Sequence, residues 1–229
     1  MRRIRAPKRR EWRTMTDART RTPRERYRTQ VRAEIKEHAW EQIATAGASA
    51  LSLNAIAKRM GMSGPALYRY FAGRDELITE LVRDAYRSLA DTFRAASGEG
   101  AGLAGLAHAM RAWALDDPQR YFLVFGTPVP GYRAPDDVTE IAAETMTAIL
   151  DACAALPSDR PGTPFDTHLE GHRQWAAGHP APPAVLHRAL TVWTRLHGVL
   201  SLELAGHFAG MAFDPALLYA AELDDLLER

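Results

Sequence analysis

The chain has 229 residues, 46% of them apolar and 25% charged, and a formal net charge of +1. That is enough to bury a sizeable core in one large domain, or in a small one plus a medium one. No apolar run approaches the roughly 18 residues of a membrane span, no apolar segment follows the basic N-terminus as a secretory leader requires, and the single cysteine, Cys153, excludes an internal disulfide; a reducing cytoplasm is the expected location.

The charge is unevenly placed. Residues 1–28 hold 12 Arg or Lys against 3 acids, a net of +9, whereas the rest hold 17 against 25, a net of −8. A basic end on an acidic body points to a polyanion partner at that end, or to a solvated tail that only aids solubility. Residues 1–24 lack apolar periodicity and are expected to be a disordered basic arm. Met15 would also serve as a start, and residues 1–14 would then reflect an upstream initiation codon.

A helical period begins near Tyr27, where Val31, Ile35, Ala39 and Ile43 recur every four residues before Gly47. Ser52 reads as the N-cap of a short helix with Leu53, Ile56, Ala57 and Met60 on its apolar side. Gly61-Met62-Ser63 interrupts it. Gly64-Pro65 opens a second short helix, with Pro65 where its missing N–H costs nothing. Ala72-Gly73 ends that helix. A longer one follows from Arg74, with Asp75 and Glu76 in its first turn and a stripe of Leu77, Ile78, Leu81, Val82, Ala85, Leu89 and Phe93. Further helices are expected at about 103–115, 118–125, 135–155, 165–177, 184–209 and 215–228. No stretch has strand alternation, so the class is all-α.

Residues 53–71 are the informative part. A helix, a three-residue turn with Gly61 at a position suited to positive φ, and a second helix form a helix-turn-helix pattern. Ile56, Met60, Met62, Leu67 and Tyr70 are expected to face inward. Hydroxyl, amide and basic groups gather here in Ser52, Asn54, Lys58, Ser63, Tyr68, Arg69, Tyr70 and Arg74. In this reading the second helix enters a DNA major groove. The competing reading is an ordinary helical hairpin in a bundle.

Residues 27–75 resemble the DNA-binding domain of the TetR family of transcription regulators. The likeness rests on the run SLNAIAKRMGMSGPALYRYF from Ser52 to Phe71 and on GRDEL from Gly73 to Leu77, about a fifth of the chain. It implies an N-terminal three-helix reading domain (residues 25–74) after the arm (1–24), and a larger helical ligand-binding and dimerisation domain (75–229). It also implies base-edge contacts from Ser63, Gly64, Pro65 and Ala66, a phosphate contact from Tyr68, and base or phosphate contacts from Arg69 and Tyr70. Phosphate contacts would come from Arg74 and Ser52, and Asn54 would reach a base. The small tip Gly64-Pro65-Ala66 suits thymine methyls better than bidentate hydrogen bonds, which leaves specificity to Arg69, Asn54 and DNA shape.

Trp193, His197 and Gly198 form a Trp-x-x-x-His-Gly signature that resembles a subgroup of the same family. The subgroup implies pairing through residues 184–209 and 215–228, with Leu190, Trp193, Leu196, Leu200, Leu204 and Ala205 as the apolar face. Trp113, Phe122, Phe125, Trp175, Trp193 and His197 are candidates for an apolar effector pocket, against the plainer reading of each as core. His168 and His172 lie four apart with Glu170 between them, a spacing able to hold a metal but more typical of surface histidines. No nucleophile elbow or phosphate loop is present. The expectation is therefore a homodimeric repressor, released from a palindromic double-stranded operator by a small, apolar or aromatic effector, with no catalytic residue, metal or cofactor. Two alternatives stay open: a ligand-binding or enzymatic bundle with an incidental hairpin, and an adaptor whose basic tail binds RNA.

Overall fold

The computed structural model describes residues 22–157 and 161–228. Most of the basic arm, residues 1–21, lies outside them. The described residues divide into two compact units, one ending at Leu77 and the other starting at Ile78, and they hold helices and turns but no strand.

In the first unit, α1 spans Pro23–Ala46. It starts earlier than its apolar stripe, because Thr22 and Glu25 form a capping box and Pro23 occupies the first turn. The start therefore falls inside the last residues of the expected arm. Val31, Ile35, Ala39 and Ile43 are all buried, and Gly47 closes the helix with φ 77°. Helix α2 spans Leu53–Arg59, capped by the Ser52 hydroxyl, which accepts from the Ala55 N–H at 3.3 Å. Gly61, at φ +65°, turns the chain where any Cβ would carry left-handed strain. Helix α3, Gly64–Leu67, is one turn long, and turn hydrogen bonds from Arg69, Tyr70 and Phe71 back to Ala66 and Leu67 extend it. Leu67 and Phe71 are fully buried with Ile56 and Ala57. Met60, Met62 and Tyr70, expected to face inward, are only half-buried, because the short helix presents a single anchored side.

Helix α4, Arg74–Gly98, begins in the first unit and continues into the second. The second unit adds α5 (Gly102–Asp116), α6 (Pro118–Phe125), α7 (Asp136–Ala154), α8 (Pro164–Gly171), α9 (Pro183–Leu204) and α10 (Pro215–Leu227). Its core joins Leu89 and Phe93 of α4 to Met110 and Trp113 of α5, Leu150 of α7, Leu186, Leu196 and Leu200 of α9, and Tyr219 and Leu223 of α10. Arginines of α4 meet acids of α7: Arg83 binds Asp137 at 2.6 Å, Arg87 binds Glu144 at 2.8 Å and Arg94 binds Glu144 at 2.9 Å. The buried Arg188 of α9 donates to the carbonyls of Leu156 and Pro157 just beyond α7 at 3.2 and 2.7 Å, a cation at a helix C-terminus.

Three expectations change. The helix expected at 165–177 stops at Gly171, and a 3-10 turn follows at Gln174–Ala176. Arg173 fixes that break by donating to the His179 and Ala181 carbonyls at 2.6 and 2.8 Å. The helix expected to reach 209 ends at Leu204, since Gly206 and Gly210 adopt φ 77° and 84°. Most of the apolar face assigned to pairing is turned into the monomer's own core: Leu196 and Leu200 are buried, Leu190, Trp193 and Leu204 pack against the same cluster, and Ala205 alone stays exposed. The residues of α9 and α10 that remain exposed are others, among them Leu202 and Leu217.

Candidate nucleic-acid interface and effector groove

The helix-turn-helix anchors one side of α3 and leaves the other open. Leu67 and Phe71 are fully buried, whereas Ser63, Pro65, Tyr68 and Arg69 are exposed. Gly64 and Ala66 are half-buried at the base of the same turn, and Asn54 of α2 stands beside Gly64, its Oδ1 3.6 Å from where a Cβ there would lie. The Arg69 guanidinium and the Tyr68 hydroxyl have no hydrogen-bond partner among the described residues. Ser63 caps α3 without a side-chain hydrogen bond, so its hydroxyl is equally open. Unpaired donors on one exposed helical turn suit phosphate oxygens and base edges.

Two arginines of α1 support this turn from behind. Arg28 Nη2 donates to the Arg69 carbonyl at 3.1 Å, and Arg32 donates to the Tyr70 carbonyl. The Arg32 guanidinium lies 4.0 Å over the Phe71 ring and pairs with Glu76 at 3.6 Å. Arg28 sits 5.7 Å from the Tyr70 ring centre. These positive groups satisfy carbonyls that a one-turn helix leaves bare. Their i, i+4 spacing on α1 was visible in the sequence, but the partner they would face was not.

Ser52 and Arg74 hold backbone as well. The Ser52 N–H donates to Gln42 Oε1 at 2.9 Å, which fixes α2 to α1. Arg74 Nη2 donates to the carbonyls of Ala48 and Ser49 at 2.9 and 3.2 Å. Its guanidinium thus ties the turn after α1 to the start of α4, a task that the motif alone does not reveal.

In the second unit a groove of about 340 Å³ opens between α4, α7 and α9. Of the six residues expected to line a pocket, Phe125, Trp175 and Trp193 do so. Trp113 is instead a core residue whose indole N–H donates to the Ser88 hydroxyl at 3.1 Å. Phe122 packs against the core. His197 lies behind the groove wall, its ring centre 4.0 Å from Trp193 and 4.5 Å from Phe125. Its Nδ1 meets the Tyr121 hydroxyl at 2.9 Å, and that hydroxyl also meets Ser201 Oγ at 2.6 Å. Burial lowers the His197 pKa to about 4, so the ring is neutral at neutral pH. Tyr86, Thr139, Met146 and Leu190 complete the groove. They escape sequence reading because helical periodicity does not say which helix a face will meet.

His168 and His172 stack at 4.0 Å on the exposed end of α8, and no cluster of three or more metal-binding side chains occurs among the described residues. No helix among those residues is long and apolar enough to cross a membrane.

Two family models match the chain: "Bacterial regulatory proteins, tetR family" over residues 35–81 and "Tetracyclin repressor-like, C-terminal domain" over residues 103–226. The HTH-type transcriptional regulator Rv1816 of Mycobacterium tuberculosis is 37% identical over 211 residues, covering 85% of this chain and 90% of that protein. The chain belongs to the TetR family.

A crystal structure described as regulatory protein SCO4313 is 78% identical, covers 91% of this chain and all of that one, and superposes with a TM-score of 0.84. The structure described as "a possible TetR family transcriptional regulator from Streptomyces coelicolor A3(2)" shares the fold at 19% identity, with a TM-score of 0.54 over 86% of this chain and 97% of that one. The all-α class and the helix-turn-helix expected from sequence therefore stand, and this TetR-family chain is a DNA-binding transcription regulator rather than an enzyme.

Proposed function

We propose that this regulator is a homodimeric repressor that reads an inverted-repeat operator and lets go of it when a small apolar molecule fills the α4–α7–α9 groove. The observation that carries the DNA side is the one-turn helix α3, anchored by Leu67 and Phe71 and open along Ser63, Pro65, Tyr68 and Arg69. In this reading Ser63, Gly64, Pro65 and Ala66 face base edges, Arg69 and Asn54 add hydrogen bonds, and Tyr68, Tyr70, Ser52 and Arg74 lie along phosphates. Lys and Arg of residues 1–28 add affinity that falls with salt.

Pairing is supported by apolar side chains left exposed around α9 and α10. Leu217 is 70% exposed, Met211 61% and Leu202 45%, apolar area that a second copy would cover. A two-fold pair would present two heads roughly 34–36 Å apart, one turn of DNA. Release is supported by α4, a single helix that carries both Arg74 of the first unit and Tyr86 of the groove. An effector that favours one placement of α4 shifts the population away from the DNA-bound form.

Selection from a random duplex pool tests this function. Enrichment of an inverted repeat is the expected result. Enrichment of single unpaired sites contradicts the dimer, and binding without sequence preference contradicts reading by α3.

A further inference from the structure

The groove is lined without a formal charge. Its walls are aromatic and apolar, from Tyr86, Phe125, Trp175, Trp193, Met146 and Leu190. Ala142 and Ala143 of α7 contribute small side chains to the same lining. Two acids of α7 are engaged by α4, Asp137 with Arg83 and Glu144 with Arg87 and Arg94, and Glu140, next to Thr139, is exposed to solvent and is not among the lining residues.

The polar groups that the groove does offer are neutral. Tyr86, Thr139, Thr145 and Trp193 line it; the Thr145 hydroxyl donates to the Ala142 carbonyl at 2.7 Å, whereas the Tyr86 and Thr139 hydroxyls and the Trp193 indole N–H have no hydrogen-bond partner among the described residues. Trp175, by contrast, spends its indole N–H on the His172 carbonyl at 3.1 Å. Burial raises the pKa of Tyr86, with the neighbouring Tyr132 adding to the effect, so its phenol stays protonated. A cation entering this groove would meet aromatic faces but no counter-charge, and an anion would meet no cation. Either would lose hydration without a partner. A flat neutral ring would stack on the aromatic walls and place an oxygen against the free donors.

We propose that the groove between α4, α7 and α9 binds an uncharged, flat aromatic molecule carrying a hydrogen-bonding oxygen and rejects the same ring in charged form. The proposal rests on the effector reading above and specifies what that site accepts. Calorimetric titration of the full chain with 2-naphthol, 2-naphthoate and 2-naphthylmethylammonium tests it at neutral pH. The neutral ring is expected to bind about ten-fold more tightly than either ion, or better. Ala142→Phe, which fills the groove, is expected to remove that binding while circular dichroism reports a folded helical chain. If it does not fold, the smaller Ala143→Leu serves the same purpose. Equal or tighter binding of a charged ring, no binding of any of the three, or undiminished binding to a folded filled variant overturns the proposal. DNA binding by the unliganded protein, measured on the same preparation, is a separate readout: its loss bears on operator reading, whereas the ranking of the three rings bears on the groove alone.

Discussion

Arg69 and Arg74 are both basic residues of the first unit, yet their surroundings give them different duties. The Arg69 guanidinium is exposed and unpaired among the described residues, so Arg69→Ala is expected to leave thermal stability within about 0.5 kcal/mol. It should lower discrimination against a mismatched base by about 1–3 kcal/mol in competition binding. Arg74 is a third exposed and bonds two carbonyls. Arg74→Ala should therefore lower both DNA affinity and stability, the latter by about 1 kcal/mol after discounting for solvent, read as a drop in melting temperature. His197 makes a pH prediction of its own. Its folded pKa is depressed to about 4 by burial, while the unfolded chain titrates near 6.5. Protons therefore bind the unfolded state first, and stability is full above about pH 6.5 and declines as pH falls toward 4, by about 3 kcal/mol in total. Melting curves at neutral pH and near pH 4.5 should show this loss in the parent and a smaller loss in His197→Gln.

At the scale of elements, α3 depends on its anchors, because one turn does not persist alone in water. Leu67→Ala is expected to destabilise the first unit by about 2–5 kcal/mol and to abolish specific DNA binding, checked by thermal melts and by competition with a scrambled duplex. The stripe on α1, the Ser52 cap, the Gly61 turn, the Pro65 start and the α4 stripe were all legible in the sequence, because each rests on local spacing or local backbone chemistry. The helix ends near 171 and 204 were not. The first depends on Arg173 reaching carbonyls six and eight residues away, and the second on a run of glycine-bearing turns after Leu204. The same limit explains the α9 face. Periodicity marked Leu196 and Leu200 as an apolar side but carried no information on whether that side meets its own core or a second chain. Half of the expected pocket failed for a related reason. Aromatic residues are core by default, and only α7, with its small Ala142 and Ala143, decides that Trp175 and Trp193 border open space while Trp113 does not.

The whole chain carries a basic N-terminal segment, an open turn at α3, an uncharged groove and exposed apolar side chains on α9 and α10. The exposed apolar side chains bear on the proposed dimer. Leu217→Arg is expected to yield monomers in sedimentation and to weaken binding to an inverted repeat by about 10²-fold or more, because the second head is no longer held near its half-site; the affinity of one head for one half-site should be nearly unchanged. Fluorescence anisotropy at physiological salt, comparing the affinity of the full chain for its selected duplex with that for a scrambled duplex of the same composition, decides whether α3 reads sequence. Base reading by α3 predicts a preference of about 10³-fold or more. Equal affinity for the two duplexes, falling steeply with salt, would reduce the protein to a sequence-blind polycation and contradict the account.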